Sequence, residues 1–132
     1  MADVVGTFPI YTGRGLYCWK FTSISDGTGE TNVIKIDVST LTNTVGGVGT
    51  KINIQEVAWS IQGFAYVQLS FDYGTDVVAS LISGNGGINY EKVGREMVAS
   101  ALAVGGTGDL LLSTGVAAAN ATYDITVVFR VD

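Results

Sequence analysis

Thr122-Tyr123-Asp124-Ile125-Thr126-Val127-Val128-Phe129-Arg130-Val131 places Tyr123, Ile125, Val127, Phe129 and Val131 on one parity and Asp124, Thr126 and Arg130 on the other. Successive side chains of a strand point to opposite faces, so this period of two is the signature of a half-buried β-strand. Immediately upstream, the glycine turn Gly105-Gly106-Thr107-Gly108-Asp109 leads into the apolar run Leu110-Leu111-Leu112-Ser113-Thr114. The small-residue stretch Gly115-Val116-Ala117-Ala118-Ala119-Asn120 then reads as a loop.

Working back from this block, the same grammar recurs. Tyr17 to Ile24 reads as a strand with Tyr17, Trp19 and Phe21 on one side, and Asp26 to Asn32 is a turn by composition. Val33 to Val38 alternates, grouping Ile34, Ile36 and Val38. A glycine-rich loop over Thr44 to Thr50 precedes a strand from Lys51 to Gln62. In that strand Ile52 and Ile54 share one parity while Val57, Trp59 and Ile61 share the other, which predicts a β-bulge near Gln55-Glu56. Phe64 to Tyr73 and Asp76 to Ile82 read as two further strands about the turn Gly74-Thr75. Ser83 to Tyr90 is read as too glycine-rich for a regular element, and 91–104 as a long loop containing a helical turn. Residues 1–15, with the only proline at Pro9, read as an N-terminal arm or extended lead-in that would make contacts as an arm or through an exposed strand edge, followed by one domain over 16–132. Short strands punctuated by glycine define an all-β fold, an antiparallel β-sandwich or jelly roll of about seven or eight strands.

At 132 residues the chain makes one domain that buries its core without disulfide staples, and its single cysteine, Cys18, makes no internal disulfide. Met1-Ala2-Asp3-Val4-Val5-Gly6 does not have the pattern of a secretory signal, and no apolar run reaches the length of a membrane span, so no membrane partner is expected. The net charge is −5 and the seven basic residues are scattered, which argues against nucleic acid as a partner. Charged residues make up 14% of the chain, against about 25% in an average soluble domain. Charge on a surface deters association and interface cores are depleted of it. A surface so poor in charge suits a molecule covered by neighbours, as well as a merely polar β-protein.

The chemistry of catalysis finds little here. There is no histidine, which removes the commonest general base and zinc ligand, and no cofactor is expected. Gly46-Gly47-Val48-Gly49-Thr50-Lys51 has the glycines of a phosphate loop but runs into Ile52 and a strand. Gly84-x-Gly86 and Gly106-x-Gly108 lack the third glycine, with Asn89 and Leu111 in its place. Asp72 and Asp76 flank a turn and are read as turn-forming carboxylates before calcium ligands. Aromatic residues on strand faces are core by default, which leaves Tyr11, Tyr73 and Tyr90 as the candidates for a sugar-stacking platform. Asn120-Ala121-Thr122 matches the glycosylation triplet and is read as a loop.

The order Phe71-Asp72, Leu81-Ile82-Ser83-Gly84-Asn85-Gly86, Gly105 to Thr114 and Thr122 to Arg130 resembles a family of small structural proteins of tailed bacteriophages. The resemblance covers a little under half the chain. Family members carry Trp-Asp where this chain has Phe71-Asp72, and often end in lysine where this chain ends Arg130-Val131-Asp132. The resemblance implies a virion protein made in the host cytoplasm and placed on the head, and it carries over no catalytic residue.

The expectation is therefore a capsid decoration, or cement, protein that is not an enzyme. It would bind the outer surface of the head where major capsid protein subunits meet, and self-associate, with a trimer as one form. Val5, Phe8, Ile10 and Tyr11 are the expected arm anchors, with Tyr90 and Met97 as further contacts. A tail, connector or fibre-associated structural protein is one alternative, and a virion-surface carbohydrate-binding module is another.

Overall fold

In the computed structural model, which describes residues 4–12, 15–43, 45–73, 76–90, 106–115 and 117–132, the described residues form nine strands and a single 3-10 turn. The strands are β1 (Val4–Thr12), β2 (Leu16–Ile24), β3 (Val33–Ile36), β4 (Ile52–Phe64), β5 (Val67–Phe71), β6 (Val77–Ile82), β7 (Asn85–Asn89), β8 (Leu110–Thr114) and β9 (Ala117–Val131). They make two antiparallel sheets, β1-β2-β9-β4-β7 and β3-β8-β5-β6. From β2 onward the pairing is that of one long hairpin: β5 with β6, β4 with β7, β3 with β8, β2 with β9. Rolling that hairpin up lays β9 on β4 and β8 on β5, which is the jelly-roll path. β1 is an addition to it, laid along the outside of β2. Among the described residues no helix is long and apolar enough to cross a membrane.

One core fills the space between the sheets. Phe21, Ile125, Val127 and Phe129 come from the larger sheet; Leu69, Phe71, Leu110 and Leu112 come from the smaller one. Each such side chain contributes about 1.5–3 kcal/mol by leaving water. The closing strand behaves as its alternation demands: Tyr123, Ile125, Val127, Phe129 and Val131 are buried in succession. The bulge expected in β4 is present. Ile54 pairs with Phe129 and Glu56 with Val128, leaving Gln55 as the extra residue. That one residue returns Val57 and Ile61 to the core already occupied by Ile52 and Ile54.

Several expectations are corrected. Ile34 does not join Ile36 and Val38 in the core; it is 54% exposed. Ile34 pairs with Leu111 and Ile36 with Leu110, so Lys35 is a bulge that splits the parity. The cause is electrostatic: the Lys35 amine turns inward to the Glu30 carboxylate at 2.7 Å, with both side chains almost wholly buried. Residues 85–89 are a strand, β7, in spite of their glycines. Gly86 lies opposite Trp59. A Cβ there would stand 2.8 Å from the indole ring, so the glycine makes room for the tryptophan that covers it. Ala117 to Asn120 belongs to β9 and not to a loop, with an irregularity in its pairing to β4 opposite Gly63. Asn120 (φ 65°) and Gly63 (φ 83°) take the left-handed conformations that this kink requires.

The N-terminal segment is part of the sheet within its described residues. Val4 to Thr12 pairs with Ile24 to Tyr17 along its whole length, so 4–12 is an edge strand and not an arm reaching away from the domain. The stretch 91–104 lies outside the described residues.

Candidate functional site

Among the described residues, the open side of β1 and the loop between the 3-10 turn and β4 both present groups that the fold itself does not use. β1 is a nine-residue strand with no charged side chain, at the margin of the five-stranded sheet. Pro9 has no N–H to give β2, so its pair with Trp19 is of the non-hydrogen-bonded kind, and pair types alternate along an antiparallel ladder. Phe8, Gly6 and Val4 therefore exchange backbone bonds with Lys20, Thr22 and Ile24, while the N–H and C=O groups of Thr7 and Val5 face the open side. Beyond Pro9 the register slips at Ile10, which ends the regular stretch. Phe8 is 53% exposed on the outer face, where its ring lies over Gly6 and beside Thr22. Ile10 is 59% exposed.

The second feature is a loop held by one asparagine. Asn43 Oδ1 accepts from the N–H groups of Val45 (3.1 Å) and Gly47 (2.9 Å). The Asn43 backbone bonds Gly47 and Gly46 at 2.9 and 3.0 Å, and Gly49 N–H donates to Leu41 O at 2.8 Å. Gly49 is packed so closely that a Cβ would fall 2.5 Å from Val131 Cγ1 and from the Val38 carbonyl. At the loop's base, the Tyr17 hydroxyl donates to Thr42 O and accepts from Thr42 N–H. This frame carries Val45 and Val48 at its tip, 79% and 66% exposed. Leu16, also exposed, begins β2, the strand whose next residue, Tyr17, anchors this loop. The result is a pre-ordered apolar end on the sandwich, whose ordering cost is met in folding and not at the moment of contact.

The expected contact residues fall as follows. Phe8 and Ile10 are on β1 and exposed; Val5 and Tyr11 are on the same strand, paired with Ser23 and Cys18. Tyr90 follows β7, packs half-buried against the core and donates its N–H to Gln55 O at 2.8 Å. Met97 lies outside the described residues. Sequence reasoning passed over Val45, Val48 and Leu16. The available signal was two valines in a loop otherwise made of glycine, threonine and asparagine, which was weighed only as a phosphate cradle.

The polar clusters hold structure together. Glu30 receives Lys35 on one carboxylate oxygen and the Tyr123 hydroxyl on the other. The Glu30 N–H donates to Thr114 Oγ1, so this buried pair ties the turn before β3 to β8 and β9. Asp109 is buried and accepts from Val38 N–H at 2.9 Å, fixing the start of the 3-10 turn (Val38–Thr40). Asp72 accepts from Thr107 Oγ1 and Asp76 from Tyr73 N–H, the work of turn-forming carboxylates. Among the described residues no three of His, Cys, Asp and Glu gather as a metal set. Burial, and then the charge of Glu56, push the Cys18 thiol up from its ordinary value. Of the tyrosines weighed for stacking, Tyr73 and Tyr90 pack against the core, while Tyr66, not considered from sequence, is exposed beside Gly115.

No protein-family model, no curated protein and no solved structure matches this chain.

Proposed function

We propose that this chain is a virion structural protein of the capsid decoration, or cement, type, which binds the outer surface of a phage head where major capsid protein subunits meet. The observation that carries this reading is the hydrogen-bonded loop holding Val45 and Val48 out to solvent, on a molecule with few charges. A rigid apolar tip serves a partner with an apolar recess. It has no evident use in a protein that works alone in water. The segment order that resembles phage virion proteins supports the choice of a virion. The jelly-roll path is shared by viral capsid and lectin domains, which is an analogy of fold and carries less weight.

On this reading the apolar end seats at a junction between shell subunits and the work is done by buried contact. A specific interface needs about 1,600 Å² in total. Repetition over the shell multiplies a modest single-site affinity. Quantitative mass spectrometry of purified particles tests the reading, with the double substitution Val45→Asp, Val48→Asp as its partner experiment. A copy number comparable to that of the shell subunit, lost in the double variant, is the expected result. A few copies per particle would move the protein to the tail, and absence from particles would end the proposal.

A further inference from the structure

We infer that the open side of β1, from Val5 to Thr7, is a self-pairing edge that joins two copies of this chain through one continuous sheet. This inference stands on β1 and does not depend on the virion reading. An exposed edge is a template for another strand, and proteins that must stay single blunt it with charge, proline, bulges or short length. Among the described strands the other three margins are blunted or short. β3 has four residues and the Lys35 bulge, β6 is broken by a shift in register at Leu69/Ser70, and β7 has five residues. β1 has nine, and its own devices, Pro9 and the slip at Ile10, lie in its second half. They leave Val4 to Phe8 regular and uncharged, and no other described strand lies on its open side.

A second copy is the occupant that fits. The outward-facing residues are Val5 and Thr7, set symmetrically about Gly6. Antiparallel pairing about a two-fold axis through Gly6 sets Val5 of each copy against Thr7 of the other. Each of those pairs then exchanges both of its backbone bonds, and no outward N–H or C=O between Val5 and Thr7 is left over. The axis falls on the one residue with no side chain, which Phe8 already covers on the outer face. The chain carries a net charge of −5, yet β1 contributes none of it, so like charges do not meet at this seam. Pro9 limits the pairing to this short stretch, which sets one register and prevents a longer, less specific seam. Because the strands run opposite ways, the two Val45/Val48 tips point away from one another along the joined sheet. If the decoration reading also holds, such a dimer would span a junction with one tip at each end.

Sedimentation equilibrium over a wide concentration range, on the full chain, is the test. The expected result is a monomer–dimer equilibrium that weakens at least about tenfold in Thr7→Pro, since that change removes outward donors from the seam. The Thr7 N–H is not given to β2, so this variant keeps the monomer's thermal unfolding, whereas Phe8→Pro, which removes a bond to β2, lowers it. A monomer at every concentration overturns the inference, as does a dimer that Thr7→Pro leaves intact. A second measurement uses the unaltered protein and remains decisive if the variant fails to fold. In a mixture of isotope-labelled and unlabelled copies, Gly6 α-protons should show a nuclear Overhauser contact across the axis, where paired Cα atoms approach to ~4.5 Å. A dimer without that contact would also overturn it.

Discussion

β9 and β1 belong to the same sheet and differ in how their outward residues are chosen. β9 is paired on both sides, by β2 and β4, and its outer face carries Asp124, Thr126 and Arg130, with Asp124 in an exposed ion pair to Lys20 at 3.1 Å. Among the described residues β1 is paired on one side only, and it carries no charge, although a bare strand edge invites association. Charge therefore sits where the ladder is already closed and is missing where the ladder is open. Protection against aggregation would place it the other way round. On the proposed reading, the difference is that of a surface covered by neighbours, β1 together with the apolar loop tip.

That comparison can be broken at either strand. Deleting Gln55 would do the most damage, because without the bulge one set of Ile52 and Ile54 or Val57 and Ile61 must turn outward against β9. The expected outcome is no cooperative unfolding transition in urea. Glu30→Gln leaves the Lys35 ammonium buried without its counter-charge, and should cost about 3–5 kcal/mol in denaturant midpoints. Replacing Glu30 and Lys35 together by Leu and Met should recover much of that loss. Phe129→Ala empties a fully buried ring position that stacks on Tyr17 and meets Trp19 edge-on, and should also cost about 3–5 kcal/mol. On the open strand the same truncation, Phe8→Ala, removes a half-exposed ring and should cost less than ~1 kcal/mol by the same titration. A cost for Phe8 as large as that for Phe129 would erase the distinction drawn between the two strands. The smallest effect on stability, within about 0.5 kcal/mol, is expected for Val45→Asp, whose consequence should appear in attachment to particles instead.

What sequence could and could not show follows from the same physics. The closing strand and the bulge at Gln55 were legible because burial of one face imposes a parity, and a break in parity has few remedies. The Lys35 bulge was not, because its cause is a partner, Glu30, across a turn, and nothing in Val33 to Val38 betrays it. β7 was missed because glycine lowers strand propensity locally, while its reason for being there, the indole of Trp59, lies on another strand. The N-terminal segment looked like an arm since pairing along β2 leaves no mark in a stretch containing glycine and proline. Phe8 and Ile10 stood out as apolar anchors of that segment, but which strand it pairs with is not written in it, and Val45 and Val48 were overlooked.

Amide hydrogen exchange on dilute protein, resolved residue by residue, tests the central contrast most directly. Between Thr122 and Val128 every amide of β9 should be slow, since both of its sides are bonded, whereas β1 should alternate, slow at Gly6 and Phe8 and fast at Val5 and Thr7. Uniform protection along β1 in the dilute monomer would mean that its edge is already satisfied, and the account of an open, waiting strand would fail.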